Sequence, residues 1–542
     1  MSRRIAILGG GIGGLSAAQE LAERGFQVTV YEAKSVWGGK ARTIFVPGTG
    51  KDGRKDLPGE HGFRFFPSFY KHVTDTMKRI PFGTNRQGVF DNLVQATRTQ
   101  IARVGKTEIV LPDQFPQSAD DWAAALRALF TPDLGIPEDE VLFFIDRLLI
   151  LLTSCEERRL AEYEKIPWWE FIDAAHKSVP YQRLLAQGQT RSLVAMRAEK
   201  GSTRTVGYTL LQLYLGALGF EGSFDRLLNG PTTEVWIDPW VAHLEQLGVE
   251  FHKDMAVRAF HTDGQRITKA TLAQSGQTLD VEADFYIAAL PVEVMATLVT
   301  DELKAAAPSL ANLRQLRTAW MNGMQFFLAQ DVPVVHGHSL YVDSPWALTS
   351  VSQKQFWQGV DLAQYGDGRV QGILSVCISD WETPGIVYGK PAMQCTAEEI
   401  KNEVWTQIKV HLNDQDAAAL DDANLLLWFL DPDIQFPNPT QVTNLEPLLI
   451  NTAGSLEFRP QAATELRNFC LVSDYVRTYT DIATMEAANE AARRAVNAIL
   501  DAAGSDAPRA QLWPLQEPEF FQPMKEYDRL RFKLGLPHSK LV

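Results

Sequence analysis

The sequence predicts an α/β fold in which nucleotide-binding segments alternate with a second, mixed α+β region. Three stretches predict it: a strand, glycine turn, helix and strand within residues 4–32; a second helix-and-strand block at 231–291; and a short apolar strand at 469–472 that leads into a helix. In the first, Ile5, Ala6, Ile7 and Leu8 form an apolar run suited to a fully buried parallel strand. Gly9, Gly11 and Gly14 follow at G-x-G-x-x-G spacing. The first glycine allows a tight turn, the second lets backbone approach a pyrophosphate, and the third lets the next helix pack closely on the sheet. Leu15, Ala18, Leu21 and Ala22 recur at helical spacing, Gly25 ends the helix, and Val28, Val30 and Tyr31 begin a second strand. Glu32 closes that strand, where a carboxylate accepts both hydroxyls of an adenosine ribose and repels a 2′-phosphate. Phosphate charge is met by amide N–H groups and the positive helix end. Gly9, Gly11, Ile12, Gly13, Gly14, Glu32 and Ala33 are the candidate cofactor contacts of this Rossmann-like unit.

Just past the acid comes a second glycine pair followed by a cation, Gly38-Gly39-Lys40-Ala41-Arg42. This arrangement resembles the second phosphate contact of FAD enzymes in the amine oxidase and phytoene desaturase superfamily, where the acid is followed by a GG-[RK] turn. The resemblance implies FAD as cofactor and Gly39, Lys40, Ala41 and Arg42 as further contacts.

Composition fits a large enzyme. With 542 residues and 45% hydrophobic content the chain can bury a large core, and its length suggests two or more domains. A net charge of −14 argues against nucleic acid as partner and repels anionic headgroups in the absence of a local basic patch. Cys155, Cys377, Cys395 and Cys470 show no CxxC spacing, which argues against a disulfide or metal framework and for a reducing cytosol. MSRR runs straight into a core strand, so a signal peptide is not expected.

Residues 46–58, rich in Gly, Pro, Lys and Asp, read as an exposed loop or hairpin. They lead to Glu60-His61-Gly62-Phe63-Arg64-Phe65-Phe66-Pro67-Ser68-Phe69-Tyr70, which resembles the E-x-G-x-H-x-F-F-G-x-Y stretch of plant-type phytoene and carotene desaturases. There the segment lies beside the flavin, which makes Gly62, Phe63 and Arg64 cofactor contacts by resemblance. Arg64 stands about where those enzymes carry a histidine. His61 and Arg64 are the candidate catalytic residues; hydrogen bonding to backbone, or a plain surface charge, is the alternative for both. So many aromatics together are better placed in a cavity wall than in solvent.

Residues 81–229 turn to amphipathic helices. The apolar runs at 141–145 and 148–152 flank Asp146 and Arg147, and this charge pair makes a membrane span improbable. Trp168, Trp169 and Phe171 are similar to an aromatic segment of the desaturase substrate domain; core packing is weighed against a membrane-facing entrance for an apolar substrate. In the 231–291 block a helix is expected at 238–247, stopped by Gly248, and a strand at 249–252. By resemblance Val257 meets the adenine edge. The aromatics scattered through 300–447, among them Trp320, Phe326, Tyr341, Trp346, Trp381 and Phe429, supply material for a large apolar cavity.

Ser473-Asp474 and Thr484-Met485-Glu486-Ala487 resemble the C-terminal G-D-x(9)-T-M-E-G-A signature of the same desaturases, with Ser473 and Ala487 in place of glycines. The resemblance implies that Asp474 binds the ribityl and phosphate hydroxyls and that Thr484 and Met485 open a helix aimed at the flavin C2 carbonyl, where a helix dipole favours the negative charge of the reduced ring. The tail beyond Gly504 mixes aromatics such as Trp513, Phe520 and Phe521 with Arg529, Arg531 and Lys533; packing across its own enzyme is weighed against docking to a membrane or a partner.

Taken with the resemblance, the fold is a discontinuous α/β, Rossmann-like FAD-binding domain at 1–80, 228–300 and 450–505. It is interleaved with a mixed α+β substrate domain at 81–227 and 301–449, and 506–542 form a C-terminal tail. The expected activity is that of an FAD-dependent oxidoreductase moving hydride from a substrate C–H to flavin N5, with an apolar isoprenoid or carotenoid-like small molecule favoured. The alternatives are an amine or amino-acid oxidase on the same fold and a non-catalytic flavin-binding protein. Met321-Asn322-Gly323-Met324-Gln325-Phe326 lacks the lysine that many amine oxidases place near flavin N5. The chain is expected to sit in the cytoplasm, with peripheral membrane contact as a further option, and no metal cluster competes with the flavin reading.

Overall fold

The computed structural model describes residues 3–104, 135–188, 190–191, 196–220, 225–413, 419–438 and 441–539. The three stretches that predict the fold join in one five-stranded parallel sheet, ordered Phe469–Leu471, Phe285–Ala288, Arg4–Leu8, Gln27–Tyr31 and Glu250–His252. Four of the five residues of Arg4–Leu8 are buried, as its apolar run requires for a strand covered on both faces. Helix Ile12–Ala22 returns over the sheet. At Gly14 the approach is so close that a Cβ would lie 1.9 Å from the Gly9 carbonyl oxygen. Helix Met485–Ala503 packs beside Ile12–Ala22, and Asn489 Nδ2 donates to Ser16 Oγ at 2.8 Å between them.

The helix expected at 238–247 is Asp238–Gln246, and Gly248 ends its turn with a φ of +86°. Its Trp240 Nε1 donates to Gln19 Oε1 at 2.7 Å. An antiparallel sheet of Ala256–Thr262, Ile267–Gln274 and Gln277–Val281 closes the same core through Phe260, Ala270 and Leu272. The loop or hairpin expected at 46–58 is a hairpin, with Thr43–Val46 antiparallel to Leu57–Glu60.

A second sheet has six strands, ordered Leu425–Leu430, Asn322–Leu328, Gly372–Ile378, Thr349–Ser352, Gly337–Tyr341 and Arg98–Ala102; only the last pair is parallel. Asn322–Leu328 and Gly372–Ile378 are buried along their whole length, so this sheet too is covered on both faces. Alternation along Asn322–Leu328 sends Met324, Phe326 and Leu328 into one core and Phe327 into another. Helix Ala397–Leu412 covers the first of these, its start fixed by a capping box between Thr396 and Glu399.

A helical lobe of Glu138–Thr153, Glu156–Ala161 and Thr203–Ala217 buries Trp168 against Phe144 and Phe171. Among the described residues no helix is long and apolar enough to cross a membrane. The tail packs across its own chain. Trp513 N–H donates to His72 Nε2 at 3.0 Å, Phe521 is fully buried in the lobe, and helix Gln522–Lys533 delivers Asp528 to Arg158 at 2.9 Å and to the Cys155 N–H at 2.9 Å. Tyr527, Leu530 and Leu534 on the same helix face outward.

Asp528 and Arg158 are each only 1% exposed, and without Asp528 the buried guanidinium keeps only the half-exposed Glu162, at 2.8 Å. Asp528→Ala is expected to cost about 2–3 kcal/mol, less than a fully broken buried pair. Urea unfolding followed by circular dichroism reads it; an unchanged midpoint would mean that the tail is a dispensable appendage.

Candidate active site

Gly9 meets the neighbouring strand end so tightly that a Cβ would lie 2.1 Å from the Ala289 carbonyl oxygen, and its φ of +116° suits glycine alone. Gly11 and Gly38 pair as an isolated parallel bridge, and Gly38 N–H donates to Gly10 O at 2.9 Å. At Gly39 a Cβ would lie 3.0 Å from Gly11 Cα. The two glycine turns, some thirty residues apart in the chain, therefore form one bare backbone surface. It floors a cavity of about 500 Å³.

Two helix N-termini open on this cavity. Gly11 caps Ile12–Ala22 without any side-chain hydrogen bond and no acid sits in the first turn, so its leading N–H groups stay available to an anion. Thr484 caps Met485–Ala503, its Oγ1 accepting from Ala487 N–H at 3.1 Å. At one end of the cavity lies Glu32, with Ala33, Met255 and Val257 around it. Its carboxylate accepts the N–H groups of Gly10 at 2.7 Å and Lys34 at 2.8 Å. Burial pushes the Glu32 pKa up, against the pull of the Lys34 and Gly10 amides. The wall also carries the apolar side chains of Phe63, Phe65, Phe69, Tyr70, Leu213, Met321 and Ile482, together with Arg64 and Cys377. Burial holds the Tyr70 phenol protonated and pushes the Cys377 thiol up to about 11.

Of the residues singled out in the sequence, Gly9, Gly11, Ile12, Gly13, Glu32, Ala33, Gly39, Lys40, Ala41, His61, Gly62, Phe63, Arg64, Val257, Asp474, Thr484 and Met485 line this one cavity. Two do not. Gly14 lies beneath it, in the helix–strand contact. Arg42 is turned away from it: its guanidinium bonds Asp433 at 3.1 Å and Glu446 at 3.2 Å and braces the Gly39 carbonyl, so this side chain is a structural cation rather than a phosphate contact. Lys40 reaches the wall, but its Nζ is shared with Glu293 at 3.1 Å and the Pro447 carbonyl. The aromatics expected to build the cavity from 300–447 went elsewhere. Phe326, Tyr341, Trp346 and Trp381 pack in one core of the six-stranded sheet and Phe429 in another, while the cavity takes Met321, Cys377 and Glu446 from that region.

The sequence reading missed the ion cluster behind His61. His61 Nδ1 lies 2.6 Å from Asp431 Oδ2 and 3.9 Å from Glu446 Oε2. Asn322 Nδ2 donates to Asp431 at 2.7 Å and accepts from Asn444 through its own oxygen at 2.8 Å. Lys34 pairs with Glu446 and lies 3.6 Å from Asp433. His61, Asp431 and Asp433 present ligand atoms within 4.8 Å of one another, a spacing a cation can bridge. Lys34 and Arg42 already supply positive charge to these acids, so the donor set fits an ion-pair network rather than a metal site. The only signal in the chain was Asp431-Pro432-Asp433, two acids around a proline, which has no periodicity to mark it.

Burial pushes the Glu446 carboxyl up, but Arg42, His61 and Lys34 outweigh it and hold it well below the ordinary carboxylate range. A carboxylate whose folded pKa is depressed adds stability above its unfolded pKa of about 4.3, and that stability is lost as pH falls below it. Glu446→Gln is expected to cost about 2–3 kcal/mol at pH 7, less than a fully broken buried pair because Asp433 stays on Arg42. Its melting temperature should also fall less steeply than wild type below pH 4.5; parallel pH profiles would rule the cluster out as a stabilising unit.

The chain matches the family of flavin containing amine oxidoreductases over residues 12–500. It is 26% identical over 538 residues to a zeta-carotene desaturase of Synechocystis sp., covering 92% of this chain and 97% of that one. It is 24% identical over 518 residues to a 15-cis-phytoene desaturase of Synechococcus elongatus, covering 92% and 96%. Among solved structures, cyclohexylamine oxidase from Brevibacterium oxydans superimposes with a TM-score of 0.62 at 13% identity, over 93% of this chain and all of that one. An oxidoreductase from Methanosarcina mazei gives 0.55 at 14% identity, over 90% and 98%. These structures share the fold. With a family match over residues 12–500, the protein belongs to the flavin containing amine oxidoreductase family and is a flavin-dependent oxidoreductase.

Proposed function

We propose that the flavin is FAD and that the enzyme takes hydride from a C–H bond of an apolar, isoprenoid or carotenoid-like substrate. The observation that carries the substrate reading is the apolar part of the cavity lining, Phe63, Phe65, Phe69, Tyr70, Leu213, Met321 and Ile482. A wall of this kind recognises a chain by area and shape, and it excludes water from the reacting carbon. The relatives named for carotenoid desaturation, aligned over more than nine-tenths of both chains, support the same class. An amine oxidase is the competing reading; the segment Met321-Asn322-Gly323-Met324-Gln325-Phe326, comparable to the one where many of those enzymes carry a lysine, has none, which weighs against it.

In this reading Glu32 receives the adenosine ribose, the bare glycine surface and the Ile12–Ala22 helix end receive the pyrophosphate, and Asp474 receives the ribityl hydroxyls. Bound FAD supplies the hydride acceptor. The chain's own residues orient: Thr484 and Met485 aim a helix N-terminus into the cavity, and the aromatic wall holds the substrate against the ring. His61, backed by Asp431, is the one imidazole in the wall and a candidate proton acceptor when a second hydrogen leaves as H⁺. Strands from 1–80, 228–300 and 450–505 meet in the parallel sheet and none comes from elsewhere, which supports reading those segments as the FAD-binding domain and 81–227 with 301–449 as the substrate domain.

Glu32→Ala removes two ribose hydrogen bonds to a charged acceptor and should weaken FAD by on the order of 3 kcal/mol or more, read by flavin release on dilution. FAD occupancy equal to wild type would refute the assignment. Acid precipitation should release the flavin into the supernatant; a yellow pellet would mean a covalent bond, with Cys377 the first thiol to replace. Anaerobic bleaching of the flavin by a panel of polyenes, terpenoids, amines and amino acids tests the substrate class. Rapid reduction by an amine or amino acid, with none by any polyene or terpenoid, would overturn the apolar reading.

A further inference from the structure

Arg64 lies in the cavity wall with no acid in ion-pair contact. Its Nη1 donates to the carbonyls of Gly62 and Phe63, its Nη2 to the carbonyl of Lys40, and its Nε is buried without a partner. Among the described residues no carboxylate stands within ion-pair distance of it, whereas its neighbour Arg42 holds two. The charged and titratable groups facing it are Glu60, Asp431, Cys377 and Arg42. None neutralises it at close range. Glu60 is the strongest of these charges on Arg64 but stands outside ion-pair distance, its oxygens taken by Thr43 Oγ1 at 2.8 Å and by the Thr232 amide and hydroxyl, both at 3.1 Å. Asp431 is held by His61 and Asn322, the Cys377 thiol stays protonated, and Arg42 repels. Burial pushes the guanidinium below its ordinary pKa, against the pull of Glu60.

On the FAD reading above, on which this inference rests, the isoalloxazine ring lies in the cavity whose wall Arg64 joins. A neutral oxidised ring that accepts a hydride gains two electrons and one proton, and so carries one negative charge; the substrate C–H bond loses the same two electrons. We propose that Arg64 sets the electron affinity of the flavin, as a fixed, preorganised cation whose missing counter-charge is the negative charge of the reduced ring. A guanidinium suits this task because it stays charged when buried and is clamped here by three carbonyls that cannot neutralise it.

Sulfite is the probe, since it adds to oxidised flavin to give an anionic adduct without any substrate. The full-length holoenzyme, Arg64→Leu, Arg64→Lys and Arg64→His are titrated with sulfite, with flavin content and midpoint potential measured on each. Arg64→Leu should bind sulfite at least tenfold more weakly than wild type, with the two-electron potential lowered by about 30 mV for each tenfold. Arg64→Lys should stay within about threefold of wild type. Arg64→His makes the charge titratable, so its affinity relative to wild type at the same pH should fall about tenfold between about pH 5.5 and 8, across an imidazole pKa near 6.5. That pH-dependent loss would not follow from a merely structural role, and it keeps the proposal testable if Arg64→Leu fails to hold flavin. Wild-type affinity and potential in Arg64→Leu, or a flat pH ratio in Arg64→His, would overturn it. No substrate enters the titration, so this result and the substrate reading stand or fall separately.

Discussion

The contact on which the rest depends is backbone against backbone, where Gly9 meets Ala289 and Gly11 meets Gly39. At 2–3 Å from a would-be Cβ, no side chain fits, and the surface left behind is bare backbone. The contact also ties segments that are distant in the chain: the first strand, the turn after the second, and the end of Phe285–Ala288 meet at one point. A cofactor lying on that point bridges all three. Binding and folding of the nucleotide-binding region are then linked, because whatever occupies the cavity stabilises the form in which these turns are closed.

Charge organises the join between the two sheets. Lys34, Lys40 and Arg42 come from the glycine-turn side, Asp431, Asp433 and Glu446 from the six-stranded-sheet side, and His61 stands between them. Buried ion pairs are poor sources of net stability but strict about geometry, since each unpaired member is costly. The cluster therefore fixes how the six-stranded sheet sits on the glycine turns, and with it the position of Met321 and Cys377 in the cavity wall. Arg64 differs from Lys34, Lys40 and Arg42, since it holds no acid in ion-pair contact and faces carbonyl dipoles instead.

The tail supplies a third constraint. It runs from the Met485–Ala503 helix past His72 and onto the helical lobe, where Phe521 and Asp528 are buried. Helix Thr203–Ala217 belongs to that lobe and contributes Thr209 and Leu213 to the cavity wall, and Gln212 Nε2 donates to the Gln516 carbonyl of the tail at 2.8 Å. A segment remote from the chemistry is thus two contacts from the cavity.

By itself the sequence determined the nucleotide-binding half. Glycine spacing, a terminal acid, a period-3.6 helix and β-rich apolar runs are local signals, and Gly9, Gly11, Glu32 and Val257 fall in one cavity because the strand–helix–strand unit leaves the chain little choice of path. Tertiary structure alone decided the rest. Arg42 reads like Lys40 along the chain, yet only the fold shows that acids some four hundred residues away claim its guanidinium. The aromatics of 300–447 were legible as apolar but not as core or cavity, because a six-stranded sheet with both faces covered absorbs them by alternation, and sequence does not say which face meets which layer. Asp431 and Glu446 carry no motif at all. Their roles come from long-range electrostatics in a buried place, and distance through space is the one quantity a linear pattern does not contain.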